Sequence, residues 1–229
     1  VQGETALIDL FRFPEPPLSS KPVSNAPVLR VQGLGFGFAG HGLFKDWSAD
    51  FPAGLSLVLG GDGAGKTSLL RLLAGDCVPQ AGQMLLHGMD LMEQDYCTQV
   101  FWRDPRAPWP EMLTPQAWVE DVSARYARWS DEDWITHALG FGLAQHLHKP
   151  MYQLSTGSQR KVQLAAALAS GAALTLLDEP VAALDKASIA YLLQALEREA
   201  RAPRSPGRAV IVAHYEELGD LPWSRTVTL

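Results

Sequence analysis

The chain has 229 residues, 47% of them hydrophobic, and a formal charge of −6, which is enough apolar material for a sizeable core in one large domain or two small ones. An acidic balance with no Lys/Arg block argues against nucleic acid as the main partner, because phosphate backbones are held by clustered positive charge. Cys77 and Cys97, the two cysteines, are too few for a disulfide framework and fit a reducing compartment.

Residues 1–27 contain Pro14, Pro16, Pro17, Pro22 and Pro27 among Ser19, Ser20 and Ser24. This composition sustains neither a helix nor a central strand and predicts a mobile extension. No basic region followed by an apolar one marks a signal peptide. A single domain is expected over 28–229. It opens with strands at Val28–Gln32, Trp47–Phe51 and Leu55–Leu59.

The last of these strands runs into Gly60-Gly61-Asp62-Gly63-Ala64-Gly65-Lys66-Thr67, which fits G-x-x-x-x-G-K-[ST] at every fixed position. Glycines allow a tight turn whose N–H groups point inward at a phosphate. Lys66 adds a charge that reaches the β- and γ-phosphates, and the Thr67 hydroxyl suits Mg²⁺. The helical stretch Ser68–Ala74 follows, so the loop lies at a helix N-terminus, where anions bind well.

A strand is predicted at Gln83–Leu86. A small helical insert then spans about 105–157, with helices over Gln116–Trp129 and Asp131–Ala138. Thr114 is a plausible N-cap, with Pro115 at the first helical position. Trp102, Trp109 and Trp118 pack the insert or line a partner's groove. His146 and His148 lack the companions a metal site needs and read as a solvated loop. Further elements are a helix over Ser158–Ser170, a strand over Ala173–Leu177, a helix over Lys186–Glu199, a loop over Ala202–Arg208, and strands at Ala209–Ala213 and Thr226–Leu229. The longest apolar run, Leu164 to Leu177, is too short and interrupted to span a bilayer.

The strand Leu174-Thr175-Leu176-Leu177 ends in Asp178-Glu179. In a parallel α/β sheet, ligands sit at the carboxyl ends of strands. There Asp178 suits a hard cation and Glu179 suits the polarisation of an attacking water. Separately, Ser155 opens a helix whose N-terminus carries partial positive charge fit for a phosphate.

Leu154-Ser155-Thr156-Gly157-Ser158-Gln159-Arg160 resembles the LSGGQ signature of ATP-binding-cassette (ABC) ATPases. Ala183-Leu184-Asp185 resembles the D-loop of that family and His214 its switch histidine. Phe38, within Phe36-Gly37-Phe38-Ala39-Gly40, resembles the aromatic that stacks on adenine. The resemblance covers about 28–229. It implies an α/β fold with a RecA-like P-loop NTPase core, a mixed or parallel sheet, an N-terminal antiparallel β part and an inserted helical subdomain. Its implied nucleotide residues are Phe38 and Gly60 through Ser68, with Lys66, Glu179 and His214 catalytic. Thr67 and Asp178 would hold Mg²⁺. Two copies would close on two ATP molecules, the signature Ser155–Gln159 completing the opposite site, and would drive a separate transmembrane subunit from the inner face of the cell membrane.

Two positions depart from the pattern. Asp104 falls where the family carries a Gln that reaches Mg²⁺, which makes it a further metal candidate, and Ser158 replaces the signature Gln. Neither touches the cradle, the carboxylates or the switch, so hydrolysis is expected to survive. Gln153-Leu154-Ser155-x-Gly157-x-Gln159-Arg160 and Trp102–Pro105 most resemble the haem-exporter ATP-binding subunits of bacterial cytochrome c maturation. The alternatives are a non-transport ABC protein and an ATP-gated scaffold with weak hydrolysis.

Overall fold

A computed structural model of the chain describes residues 26–38, 41–202 and 207–229. The extension expected at 1–27 therefore lies outside the described residues, apart from its last two positions.

The first third of the chain forms β1 (Leu29–Phe38), β2 (His41–Phe51), β3 (Gly54–Leu59), α1 (Lys66–Leu73), β4 (Ala81–Leu86) and β5 (Met89–Asp90). Next come β6 (Val100–Phe101), α2 (Pro115–Ser123), α3 (Asp131–Gly140) and α4 (Thr156–Ala169). The last part is β7 (Leu174–Asp178), α5 (Lys186–Arg201), β8 (Ala209–His214) and β9 (Trp223–Thr228).

Two sheets result. An antiparallel one runs β2-β1-β4-β5, and a second runs β6-β7-β8-β3-β9 with every pairing parallel. β1 and β2 run well past the expected 28–32 and 47–51. Their outer halves carry Gly33, Gly35, Gly37 and several register shifts, so the ladder continues where the apolar alternation that signals a strand has lapsed. β9 also starts earlier than expected. It is an exposed edge whose Arg225 and Thr226 pair with Ser56 and Leu57, and edge positions of this kind show no apolar pattern.

Strand alternation divides the core in two. Leu55, Leu57, Leu177, Val210 and Val212 face α4, α5 and the insert helices. Val58, Leu174, Leu176, Ile211 and Ala213 face α1 and the antiparallel sheet. The apolar run at 164–177 is thus the end of α4 plus β7, buried in the fold.

Helix starts follow their caps. Thr114, Ser130, Ser155 and Asp185 each accept a backbone N–H three residues on, which satisfies one of the orphan donors of the first turn. α2 stops at Ser123, short of the expected Trp129. The apolar spacing of Tyr126 and Trp129 is spent on turns instead. Tyr126 donates its hydroxyl to the Val100 carbonyl at 3.1 Å, and the Ser130 N–H reaches the Ala169 carbonyl at 3.1 Å, so tertiary bonds override helical periodicity. Trp109 and Trp118 pack edge to face at 4.9 Å between ring centroids. Trp102 is apart from them, donating to Asp76 Oδ2 at 2.7 Å.

Candidate active site

Parallel register brings three strand ends level. Leu59 of β3 pairs with His214 of β8, and Asp178 of β7 pairs with Ala213. Two backbone bonds continue the alignment past the strands: the Gly60 N–H to the His214 carbonyl at 3.2 Å, and the Glu179 N–H to the Ala213 carbonyl at 2.9 Å. Whatever binds at this edge meets the phosphate loop, both carboxylates and the histidine together.

The loop turns at Gly63 and Gly65, whose φ values of 77° and 97° lie in the left-handed region that side chains disfavour. Gly65 is the N-cap of α1, so the first N–H groups of the helix open toward the loop. Lys66 is only 7% exposed. Its ammonium donates to the carbonyls of Gly60 at 2.6 Å and Gly61 at 3.0 Å, and lies 3.2 Å from Glu179 Oε1. His214 Nε2 stands 3.3 Å from Glu179 Oε2, and its Nδ1 is 2.8 Å from the Glu216 carbonyl oxygen. Glu179 is therefore clasped between a lysine and a histidine.

Thr67 Oγ1 donates to Asp178 Oδ2 at 2.6 Å, while Asp178 Oδ1 is buried with no partner among the described residues. Burial pushes the Asp178 carboxyl above its ordinary range; the Thr67 bond opposes this, and the charge of Glu179 adds to it. A hydroxyl and a buried carboxylate oxygen without a partner are oxygen donors of the kind Mg²⁺ takes.

A cavity of about 860 Å³ is lined by Phe38, Gly61 through Ser68, Asp178 and Glu179, together with Leu43, Arg106, Ala182 and Tyr215. Phe38 is 56% exposed and meets Phe36 edge to face. The signature residues stand elsewhere. Thr156 and Gln159 line an adjoining cavity of about 300 Å³ beside Arg160 and Gln163. Ser155 Oγ caps α4 and lies 3.0 Å from Ser158 Oγ. Gln159 donates to the Met151 carbonyl at 2.8 Å, and Gly157 packs against the Ala183 carbonyl, where a Cβ would sit 2.4 Å from the oxygen. Asp185 caps α5 and accepts from Lys161 at 2.6 Å, a contact that holds its carboxyl well below the usual carboxylate range.

Asp104, the further metal candidate, is not among the residues lining the cavity. Its Oδ1 accepts the Arg106 N–H at 2.9 Å, closing a local turn, and the cavity lining includes Arg106 rather than Asp104. A short carboxylate two residues ahead of an N–H commonly makes an Asx-type turn of this kind. Sequence reasoning passed over Arg106, Tyr215 and Leu43. The signal for Arg106 was a cation in a Pro-rich loop after a strand end; the other two carry none. It also assigned nothing to Arg160, whose guanidinium donates to the backbone carbonyls of Asp178 and Glu179 and so fixes the end of β7.

The model of the family described as ABC transporter matches residues 44–182. The chain is 33% identical over 233 residues to the cytochrome c biogenesis ATP-binding export protein CcmA of Cupriavidus necator, covering 95% of this chain and 97% of that one. It is 34% identical to the protein of the same name from Pseudomonas savastanoi pv. phaseolicola, covering 86% and 92%. Among solved structures, a putative ABC transporter ATP-binding protein from Pyrococcus furiosus superposes with a TM-score of 0.71 at 23% identity, covering 88% of this chain and 96% of that one. At that identity the likeness concerns the fold.

Proposed function

The chain belongs to the ABC transporter family as an ATP-binding, ATP-hydrolysing subunit, and from that premise we propose that two copies close on two Mg-ATP and drive a separate membrane subunit in an export step of cytochrome c biogenesis. The relatives' names support the export step. The resemblance to haem-exporter subunits points to haem as the cargo. No helix among the described residues is long and apolar enough to cross a membrane, and we assign the cargo's path to the partner subunit at the inner membrane face.

The observation that carries the reading is the clasp of Glu179 between Lys66 and His214, beside the Thr67–Asp178 pair, in one cavity with the phosphate loop. The loop amides and Lys66 hold the phosphates, and Phe38 stacks on the base. Thr67 and the buried Asp178 carboxylate would hold Mg²⁺, which would supply charge neutralisation at the phosphates when bound. Glu179 takes the proton of a water whose oxygen attacks the terminal phosphorus, while the bond to the bridging oxygen breaks and releases ADP. His214 orients Glu179. The helix start at Ser155 and Gly157 supplies N–H groups to the partner copy's phosphate.

Two-site closure is tested by solution mass. Glu179→Gln with Mg-ATP should run as a dimer and without nucleotide as a monomer. A mass that stays monomeric under saturating Mg-ATP contradicts the two-copy sandwich.

A further inference from the structure

Arg106 stands at the phosphate end of the cavity, close enough for its charge to act on the Asp178 carboxyl. It lines the main cavity and the smaller adjoining one, and both also include Asp178, Glu179 and Ala182. It therefore sits at the carboxylate end and not at the Phe38 end. Among the described residues it is, beside Lys66, the second cation lining the main cavity. Lys66 already donates to two loop carbonyls and meets Glu179, whereas no acceptor among the described residues takes a hydrogen bond from the Arg106 side chain.

The backbone beneath Arg106 is held firmly. Asp104 Oδ1 accepts the Arg106 N–H, and the Asp104 carbonyl accepts the Ala107 N–H at 3.0 Å. Arg103 donates to the carbonyls of Asp104, Ala107 and Pro108 while its guanidinium lies 3.5 Å from the centroid of the Trp109 ring. Gln163 of α4 donates to the Arg103 carbonyl at 2.6 Å. The turn that Asp104 makes is thus the mount for an exposed arginine arm. A planar guanidinium with five donors pairs bidentately with phosphate oxygens, and a preorganised mount reduces what is lost on ordering it.

We propose that Arg106 contacts the terminal phosphate of the nucleotide bound in its own chain and sets the preference for triphosphate over diphosphate. This rests on the nucleotide reading of the cavity. A phosphate tail laid along Gly61–Thr67 with its base toward Phe38 ends beside Asp178 and Glu179, at the end of the cavity that Arg106 also lines. Lys66 already meets Glu179 and two loop carbonyls, so Arg106 is the further cation placed to meet the terminal phosphate.

The test measures Mg-ATP and Mg-ADP affinity by calorimetry on the full chain in the non-hydrolysing Glu179→Gln background, with Lys66→Ala as reference. Arg106→Ala should weaken ATP by about tenfold or more and ADP by less than about twofold, with Arg106→Lys in between. The assignment is overturned if Arg106→Ala changes both affinities alike, or neither, while Lys66→Ala still weakens both. If Lys66→Ala itself leaves both unchanged, the nucleotide reading of the cavity falls and takes the assignment with it.

Discussion

Glu179 has φ 44°, a left-handed conformation that costs a residue with a side chain on the order of 1–3 kcal/mol. Its surroundings hold it there. The Ala213 carbonyl takes its N–H, Arg160 donates to its carbonyl, and Lys66 and His214 flank its carboxylate. The residue in this conformation lines the cavity beside Asp178. Gly157 carries a different constraint. The Ala183 carbonyl approaches so closely that any side chain must separate the start of α4 from the turn after Glu179. Gly157→Ala should lower the unfolding free energy by about 1–3 kcal/mol, the usual cost of overpacking, read as a shift of the urea midpoint. An unchanged midpoint would show that the two segments yield freely. Most of this site was legible in the residues themselves, because phosphate loops and strand-end carboxylates owe their chemistry to local spacing. The clasp of Glu179 was legible only in outline, since Lys66 and His214 meet it through sheet register.

α3 is tied to α5 at one point that no periodicity announces. Gly140 lies flat against the Tyr191 ring, where a Cβ would fall 2.0 Å from a ring carbon, and Tyr191 Oη lies 2.9 Å from His137 Nδ1. Burial lowers the His137 pKa from 6.5 to about 4, with the charges of Arg198 and Arg208 acting in the same direction. The unfolded chain therefore binds a proton between about pH 6.5 and pH 4 that the folded chain refuses. The neutral histidine's contribution to stability is complete above the unfolded value and is lost as pH falls through this window. Urea titrations should show up to about 2 kcal/mol lost between pH 7 and pH 5 through this group, and His137→Gln should show a correspondingly shallower slope. Equal slopes would mean that His137 titrates normally. The neighbouring elements explain what the sequence could not say. α2 stops early because Tyr126 and the amide of Ser130 find partners in β6 and α4, and β1 outlasts its pattern because a ladder tolerates glycines and register shifts that blur alternation.

At the scale of the molecule, one face of the parallel sheet carries α1 and the antiparallel sheet, and the other carries α4, α5 and the insert helices. The phosphate loop, Asp178, Glu179 and His214 converge where β3, β7 and β8 end. Thr156 and Gln159 of the signature line a smaller cavity that adjoins the main one and shares Arg106, Asp178, Glu179 and Ala182 with it, while Lys66 lines the main one alone. The alternation of strands and helices and the order of the motifs made this architecture readable from the chain. The placement of Arg106 at the cavity was not, because it depends on which way a two-residue turn closes. In the proposed mechanism, hydrolysis depends on Glu179 as the group that takes the proton from water. ATP turnover of the full chain beside Glu179→Gln tests it most directly. The variant should retain ATP binding and lose turnover by about 10²–10⁴-fold, the scale expected for a general base. Wild-type turnover no higher than that of the variant would contradict the account.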